Sequence, residues 1–237
     1  MRAAVLAWGA HAYTALGLPC AAAIAVLIVR GDDGSFRLAF ALMVVATFID
    51  ATDGWLARRA RVAEVLPGFD GRRLDDIIDF QTYTALPLLL IWRAGLVPEA
   101  WAWWLVVPFV ASAYGFSQAD AKTDDDFFLG FPSYWNIVAF YLYVLRVPHP
   151  WALAVLLALA ILTFVPSRYL YTSRAGRWST PTNVCGAVWA VTLVVILWRW
   201  DRAPVWLPIA SLAFPVYYMG LSWAISIARW RGSAQAD

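Results

Sequence analysis

Long apolar segments alternate with short polar connections along the whole chain. A helix needs about 20 mostly apolar residues to cross the hydrocarbon core of a bilayer. Eight segments approach this length: 8–29, 36–58, 75–92, 100–119, 133–146, 150–167, 181–199 and 204–228. No soluble domain fits into the connections between them. The pattern predicts an all-α polytopic membrane bundle of about eight transmembrane helices, built as a single membrane-embedded domain over residues 1–237.

The composition also indicates a protein that resides in a lipid bilayer. Hydrophobic residues make up 62% of the chain and charged residues 14%, and the mean hydropathy is +0.63. Soluble domains usually carry about 25% charged residues. The net charge of +2 gives no indication of a nucleic-acid partner, so none is expected.

The basic residues predict the orientation of the bundle. With an even number of spans, both termini lie on the same side of the membrane. Of the 18 Lys and Arg residues, twelve fall on the side of the termini and six on the other. Because cytoplasmic loops carry the excess of Lys and Arg, the termini and the 59–74 loop are expected to face the cytoplasm.

Four aspartates interrupt the apolar pattern at the ends of two neighbouring spans. Asp50 and Asp53 lie near the end of the second span, and Asp75 and Asp79 near the start of the third. The two helices run antiparallel around the 59–74 loop, so both pairs reach a similar depth at the cytoplasmic edge of a roughly 30 Å core. Ionisable residues at such a depth destabilise the protein unless something offsets their charge, and they are usually functional.

The spacing of the aspartates predicts a metal site. Asp50 and Asp53 are three residues apart, and Asp75 and Asp79 are four apart, so each pair shares one face of its helix. Four carboxylates would converge if these faces meet, and two divalent cations would cancel their repulsion. Oxygen ligands favour Mg²⁺ or Mn²⁺, and a pair of such ions is suited to binding a diphosphate.

Two other interpretations of the aspartates are considered. They would serve only as interfacial ion-pair partners of four arginines, namely Arg58, Arg59, Arg72 and Arg73. Alternatively, they would bind the cation of a membrane transporter, which predicts ion flux without nucleotide turnover. Neither interpretation explains the glycines that accompany the aspartates.

The segment from residue 50 to residue 79 resembles the CDP-alcohol phosphotransferase family. Its pattern is Asp-Gly-x2-Ala-Arg-x(n)-Gly-x3-Asp-x3-Asp. The fixed positions are Asp53, Gly54, Ala57, Arg58, Gly71, Asp75 and Asp79, and Asp50 matches an additional upstream aspartate. The resemblance implies a membrane enzyme that transfers a phosphatidyl group from a CDP-linked lipid to an alcohol.

The spacer within this pattern narrows the resemblance. Twelve residues separate Arg58 from Gly71, and this spacer length resembles that of bacterial phosphatidylcholine synthases. Further similar segments are 11–17, 65–67, 122–125, 128, 130–132, 135–136 and 163–166. The resemblance implies CDP-diacylglycerol and choline as substrates, CMP as a product and a bacterial inner membrane as the location. Another acceptor, such as serine, is the alternative.

The resemblance also implies roles for individual residues. Two divalent cations, Mn²⁺ or Mg²⁺, would be held by Asp50, Asp53, Asp75 and Asp79. Asp79 would also be the general base that takes the proton of the choline hydroxyl. CDP-diacylglycerol would be bound by Gly54, Ala57, Arg58, Gly71 and Thr14.

The quaternary nitrogen of choline has no hydrogen-bond donor, so aromatic rings are expected around it. Tyr83, one turn after Asp79, and Trp135 are the candidates, and packing within the bundle is the alternative for each. Members of the family are often dimers, which makes a homodimer compatible with the resemblance. Nothing in this sequence identifies an interface.

Overall fold

The computed structural model describes residues 2–118, 127–170 and 178–233, and these are mostly helical. Each of the eight predicted spans is helical over most of its length, so the predicted polytopic helical class is confirmed. Within the described residues, five segments are long and apolar enough to cross a membrane: Arg2–Arg30, Asp33–Ala60, Glu99–Ser117, Ser179–Arg202 and Trp206–Arg231. The 122–125 segment, which belongs to the family resemblance, lies outside the described residues.

The chain divides into two compact units. The first comprises Met1–Gly95 together with Trp135–Phe140, and the second comprises Leu96–Tyr134 together with Tyr141–Asp237. The single domain over residues 1–237 stays a prediction. All four predicted metal-binding aspartates belong to the first unit.

The first unit is built from helices that follow one another with short connections. They are α1 (Arg2–Ala15), α2 (Gly17–Arg30), α3 (Asp33–Ala60), α4 (Val62–Val65), α5 (Gly71–Asp79), a π-helical segment (Phe80–Ala85) and α6 (Leu86–Arg93). The predicted first span is therefore two helices that meet at Leu16. Pro19 explains the break, because it has no N–H to donate to the carbonyl of Ala15.

Helix α3 is the centre of the first unit. It packs along α2 and α1, while α5 contacts α1 and α2. Helix α6 packs on α2. The apolar side chains of α2, α3 and α6 that are almost completely buried include Ile24, Ile28, Ala39, Phe40, Leu90 and Ile91. This packing places the C-terminal half of α3 beside α5, and these two regions carry the aspartates.

Asp32 caps the N-terminus of α3. Its carboxylate accepts hydrogen bonds from the N–H of Ser35 at 2.9 Å and from the hydroxyl of Ser35 at 2.5 Å. These bonds, the hydroxyl bond first, lower the pKa of Asp32 from its ordinary value of 3.8. A carboxyl group with a lowered pKa in the folded state stabilises that state above its unfolded pKa and loses this contribution as the pH falls through the folded pKa.

Two substitutions distinguish the stability that the Asp32 cap contributes at pH 7 from the pH dependence that its carboxyl group contributes. Asp32→Ala should lower the midpoint of thermal unfolding at pH 7, because the N-cap acceptor is lost. Asp32→Asn should keep the unfolding midpoint at pH 7 close to that of the unmodified protein. It should also remove the part of the decline in this midpoint below pH 4 that comes from protonation of Asp32. Thermal unfolding of the detergent-solubilised protein at pH 7 and pH 3 measures both. Equal midpoints for Asp32→Ala and the unmodified protein at pH 7 would contradict the assignment.

The second unit contains helices and two short strands. They are a 3₁₀ segment (Glu99–Leu105), α7 (Val106–Ser117), β1 (Phe127–Leu129), α8 (Trp135–Val144, of which 135–140 belong to the first unit), α9 (His149–Phe164), β2 (Arg168–Leu170), α10 (Ser179–Arg199), a 3₁₀ turn (Trp200–Arg202), α11 (Trp206–Ser211) and α12 (Ala213–Ser233). The strands pair antiparallel, with Phe128 opposite Tyr169. This pairing was not predicted, because three-residue strands carry no recognisable period.

Candidate active site

A small pocket lies in the first unit among α1, α2, α3 and α5. The residues that line it are Thr14, Gly17, Ala46, Ile49, Asp50, Asp53, Asp75, Ile78 and Asp79. All four predicted metal ligands are in this lining. The pocket therefore coincides with the region in which the sequence predicts chemistry.

Three of the four aspartates form a tight cluster. One carboxylate oxygen from each of Asp50, Asp75 and Asp79 lies within 4.8 Å of the others. Asp50 comes from α3 and the other two from α5, so the two helix faces meet as their spacing predicts. Three carboxylates at this separation repel one another strongly. Their oxygen atoms are suitable ligands for a hard divalent cation. The cluster can bind a metal ion.

Asp53 is placed differently from the other three aspartates. It lines the same pocket and is buried, with 6% of its surface exposed. Its Oδ2 accepts a hydrogen bond from the Thr14 hydroxyl at 2.7 Å, which orients the carboxylate. Thr14 was predicted to bind CDP-diacylglycerol, and in the structure its hydroxyl contacts Asp53. The sequence contains no signal for this contact, because 39 residues separate the partners.

Gly17 allows α2 to approach α5 at the level of the cluster. A Cβ atom at Gly17 would lie 2.4 Å from Cγ2 of Ile78, which is closer than two carbon atoms can pack. Ile78 directly precedes Asp79, and both Gly17 and Ile78 line the pocket. The missing side chain of Gly17 therefore sets how close α5 lies to α2. Gly17 closes the 11–17 segment of the family resemblance, but no pattern in the sequence predicts its contact with Ile78.

Gly71 provides the corresponding space for His11. A Cβ atom at Gly71 would lie 2.5 Å from Cε1 of the His11 ring. His11 is buried, and its ring centroid lies 4.5 Å from that of Phe69 and 5.9 Å from that of Trp8. In the structure Gly71 admits the imidazole of His11. The contact of Gly71 with CDP-diacylglycerol stays a prediction.

The remaining residues predicted to bind CDP-diacylglycerol lie along the last turns of α3. Arg58 is exposed, and Ala57 and Gly54 are half-buried. A Cβ atom at Gly54 would lie 3.3 Å from Nη1 of Arg58, so the guanidinium folds back over Gly54. This arrangement leaves the Arg58 guanidinium at the surface beside the pocket-forming turn that contains Asp53. Binding of CDP-diacylglycerol by these three residues stays a prediction.

The structure gives contacts for two of the arginines invoked by the ion-pair interpretation. The Arg59 guanidinium lies 5.4 Å from the ring centroid of Trp55, and Arg73 lies 4.0 Å from the carboxylate of Asp70. Arg61, further along the same loop, pairs with Glu64. These contacts are on the helix ends and in the loop, away from the pocket lining. The Arg59 and Arg73 contacts therefore give the ion-pair interpretation no support.

The two aromatic candidates for choline binding are both buried. The Tyr83 hydroxyl donates a hydrogen bond to Oδ2 of Asp50 at 2.8 Å. Trp135, at the start of α8, has no exposed surface. Tyr83 is thus attached to the carboxylate cluster, and Trp135 is packed within the first unit. Their contact with choline stays a prediction.

Comparisons with known proteins indicate one family. The model of the CDP-alcohol phosphatidyltransferase family matches residues 9–164. A phosphatidylcholine synthase of Pseudomonas aeruginosa is 35% identical over 232 residues, which cover 95% of this chain and 94% of the relative. The phosphatidylcholine synthase of Legionella pneumophila is 35% identical over 230 residues (91% of this chain, 87% of the relative). That of Rhizobium meliloti is 32% identical over 228 residues (95% and 92%). The chain belongs to the CDP-alcohol phosphatidyltransferase family.

Proposed function

We propose that the protein is a phosphatidylcholine synthase of a bacterial inner membrane. It transfers the phosphatidyl group of CDP-diacylglycerol to the hydroxyl of choline and releases CMP. The observation that carries the proposal is the cluster of Asp50, Asp75 and Asp79 at the family signature. Choline as the acceptor is supported by the relatives named phosphatidylcholine synthase, which align over nearly the whole chain.

The aspartates would hold two divalent cations, Mn²⁺ or Mg²⁺. The oxygen ligands fit these ions, because clustered carboxylates repel one another and a divalent cation offsets that repulsion. Asp50, Asp75 and Asp79 would supply the central ligands, and Asp53 would join them from the same pocket lining. When bound, the ions neutralise the diphosphate and stabilise CMP as a leaving group.

The side chains around the pocket position the substrates and move one proton. Asp79 accepts the proton of the choline hydroxyl at its carboxylate as the oxygen–phosphorus bond forms and the bond from phosphorus to CMP breaks. Arg58 binds phosphate oxygens through its forked N–H groups. Gly54 and Ala57 leave room for the nucleotide beside α3. Gly71 leaves room for the His11 imidazole at the start of α5.

The membrane position of the cluster suits these substrates. The excess of Lys and Arg supports an orientation in which both termini and the 59–74 loop face the cytoplasm. The pocket then lies near the cytoplasmic edge of the bilayer. The acyl chains of CDP-diacylglycerol remain in the hydrocarbon region, while choline and CMP exchange with the cytoplasm.

A panel of acceptor alcohols tests the proposal. Purified protein should release CMP from CDP-diacylglycerol only when choline and Mn²⁺ or Mg²⁺ are both present. The panel contains choline, serine, inositol and glycerol phosphate, and chelation of the metal by EDTA is the control for each. Release of CMP with serine, inositol or glycerol phosphate but not with choline would reject the acceptor. Ion flux through vesicles without any CMP release would favour a transporter.

A further inference from the structure

Tyr83 lies in a π-helical segment that directly follows the last aspartate. This segment spans Phe80–Ala85, and the N–H of Leu86 bonds to the carbonyl of Gln81, five residues earlier. A π-helical turn accommodates an extra residue and therefore changes the direction of the side chains that follow it, and such turns occur frequently at functional sites. The apolar pattern does not predict this segment. Its position places Tyr83 against α3.

The hydrogen bond between Tyr83 and Asp50 has a defined direction. The phenol has a single hydrogen, and an ionised carboxylate only accepts hydrogen bonds. The 2.8 Å contact is therefore donated by the Tyr83 hydroxyl to Oδ2 of Asp50. Because Tyr83 is buried, water competes little for this bond. One oxygen of a cluster carboxylate is thus bound by a fixed donor.

Thr47 extends this contact into a chain of hydrogen bonds. It lies one helical turn before Asp50 on α3 and forms a side-chain hydrogen bond with Tyr83. Since the Tyr83 hydrogen is used by Asp50, Thr47 is the donor in that bond. The Thr47 Oγ1 in turn accepts from Nδ2 of Asn136 at 3.3 Å. Asn136, Thr47 and Tyr83 therefore each donate one hydrogen bond to the next group along the chain that ends at Asp50.

Asn136 is itself held in place at the start of α8. It is buried, and its Oδ1 accepts a hydrogen bond from the N–H of Ile137 at 2.9 Å. The amide orientation is therefore assigned, with Oδ1 facing the backbone and Nδ2 facing Thr47. Residues 135–140 and α3 belong to the same compact unit. The chain of bonds links three separate segments of this unit to one carboxylate.

We propose that Asn136, Thr47 and Tyr83 form a hydrogen-bond relay that positions the Asp50 carboxylate for metal binding. The inference rests on the metal site of the proposed function and assigns Tyr83 a positioning role instead of direct contact with choline. Partners that orient a metal ligand typically contribute 10–100-fold to metal affinity. Fixing Oδ2 restricts rotation of the carboxylate before the ion arrives, so less conformational freedom is lost on binding.

Mn²⁺ binding to the full-length protein in detergent tests the relay without any substrate. Free Mn²⁺, measured by its electron paramagnetic resonance signal, gives the affinity. Tyr83→Phe removes the hydroxyl and keeps the ring, and it should weaken Mn²⁺ binding about 10- to 100-fold. Tyr13→Phe is the matched control, because it removes a hydroxyl that bonds Thr52 at 2.8 Å on the same helix α3. Its Mn²⁺ affinity should remain within about twofold of the unmodified protein.

Thr47 provides a second test that does not depend on the folding of the Tyr83 variant. Thr47→Val removes the hydroxyl at nearly constant volume and should weaken Mn²⁺ binding several-fold, whereas Thr47→Ser should retain the affinity. In the CMP assay, Tyr83→Phe and Thr47→Val should raise the metal concentration for half-maximal rate, with a smaller change in the rate at saturating metal. A loss of packing alone would not produce this difference or its rescue by serine.

The outcomes separate the relay from the proposed function. Unchanged Mn²⁺ affinity in both Tyr83→Phe and Thr47→Val would overturn the relay, whatever the acceptor. Equal weakening by Tyr83→Phe and Tyr13→Phe would also overturn it, because the effect would then be a general loss of packing. Normal Mn²⁺ binding by the unmodified protein without choline-dependent CMP release would reject the proposed function and leave the relay in place.

Discussion

Asp79→Asn should reduce the rate of choline-dependent CMP release by about 10²- to 10⁴-fold, which is the usual contribution of a general base. Asparagine matches aspartate in size but does not accept the proton of the choline hydroxyl. Asp79 lies in the carboxylate cluster, so a loss of metal binding adds to the effect. Initial rates at saturating CDP-diacylglycerol, choline and Mn²⁺ measure the change.

The control for this substitution is on the same helix. Asp76→Asn neutralises an aspartate of α5 that is absent from both the cluster and the pocket lining. Its rate should remain within a few-fold of the unmodified protein. Asp79→Asn should retain measurable binding of the nucleotide, because it leaves the proposed nucleotide-binding residues of α3 unchanged. Near-normal turnover by Asp79→Asn would remove Asp79 as the base.

Gly17→Ala should reduce turnover by about 100-fold, the loss that a displacement of about 1 Å produces in an active site. The new Cβ atom would overlap Cγ2 of Ile78 at 2.4 Å, and α5 has to move away from α2 to admit it. That movement shifts Asp75 and Asp79 relative to Asp50. CMP release under saturating conditions measures the loss.

A compensating substitution makes this test specific. Ile78→Ala removes Cγ2 and leaves the Ile78 Cβ position, which lies 3.7 Å from a Cβ at Gly17, at an ordinary contact distance. The Gly17→Ala/Ile78→Ala double variant should therefore recover part of the activity lost in Gly17→Ala. Gly9→Ala is the control, because a Cβ at Gly9 meets nothing within 4 Å. If the double variant is as inactive as Gly17→Ala beside an active Ile78→Ala, the overlap is not the cause.

Helical spacing was sufficient to predict the centre of the site. Asp75 and Asp79 share a face by their separation of four residues, and Asp50 lies at the matching depth on the preceding helix. The structure brings these three carboxylates together. Depth and direction are local properties of a helix in a membrane, so the sequence encodes them directly. Hydropathy likewise predicted the polytopic helical class, and five segments of the described residues are long and apolar enough to cross a membrane.

The contacts around this centre depend on packing between helices and had no sequence signal. The bond from Tyr83 to Asp50 joins residues 33 positions apart. Spacing placed Tyr83 on the face of Asp79, but the direction of its hydroxyl is set by the π-helical segment. Gly17 is one glycine in an apolar helix, and only the position of Ile78 on another helix reveals why a side chain there is excluded.

The break in the first predicted span has its cause in the sequence itself. Pro19 lies within the predicted first span, and its missing N–H accounts for the division of that span at Leu16. The pairing of β1 with β2 was not accessible in this way, because strands of three residues show neither alternation nor a turn signal that joins them. The strands are also separated by α8 and α9.

The most direct test follows the phosphatidyl group itself. Purified protein in vesicles that contain CDP-diacylglycerol is supplied with isotopically labelled choline and Mn²⁺, and the lipid product and CMP are quantified together by mass spectrometry. Labelled phosphatidylcholine and CMP should form in equal amounts, and neither should form after EDTA treatment. CMP release without labelled phosphatidylcholine, or equal turnover without a divalent metal, would contradict the assignment of the aspartate cluster to metal-dependent transfer of a phosphatidyl group to choline.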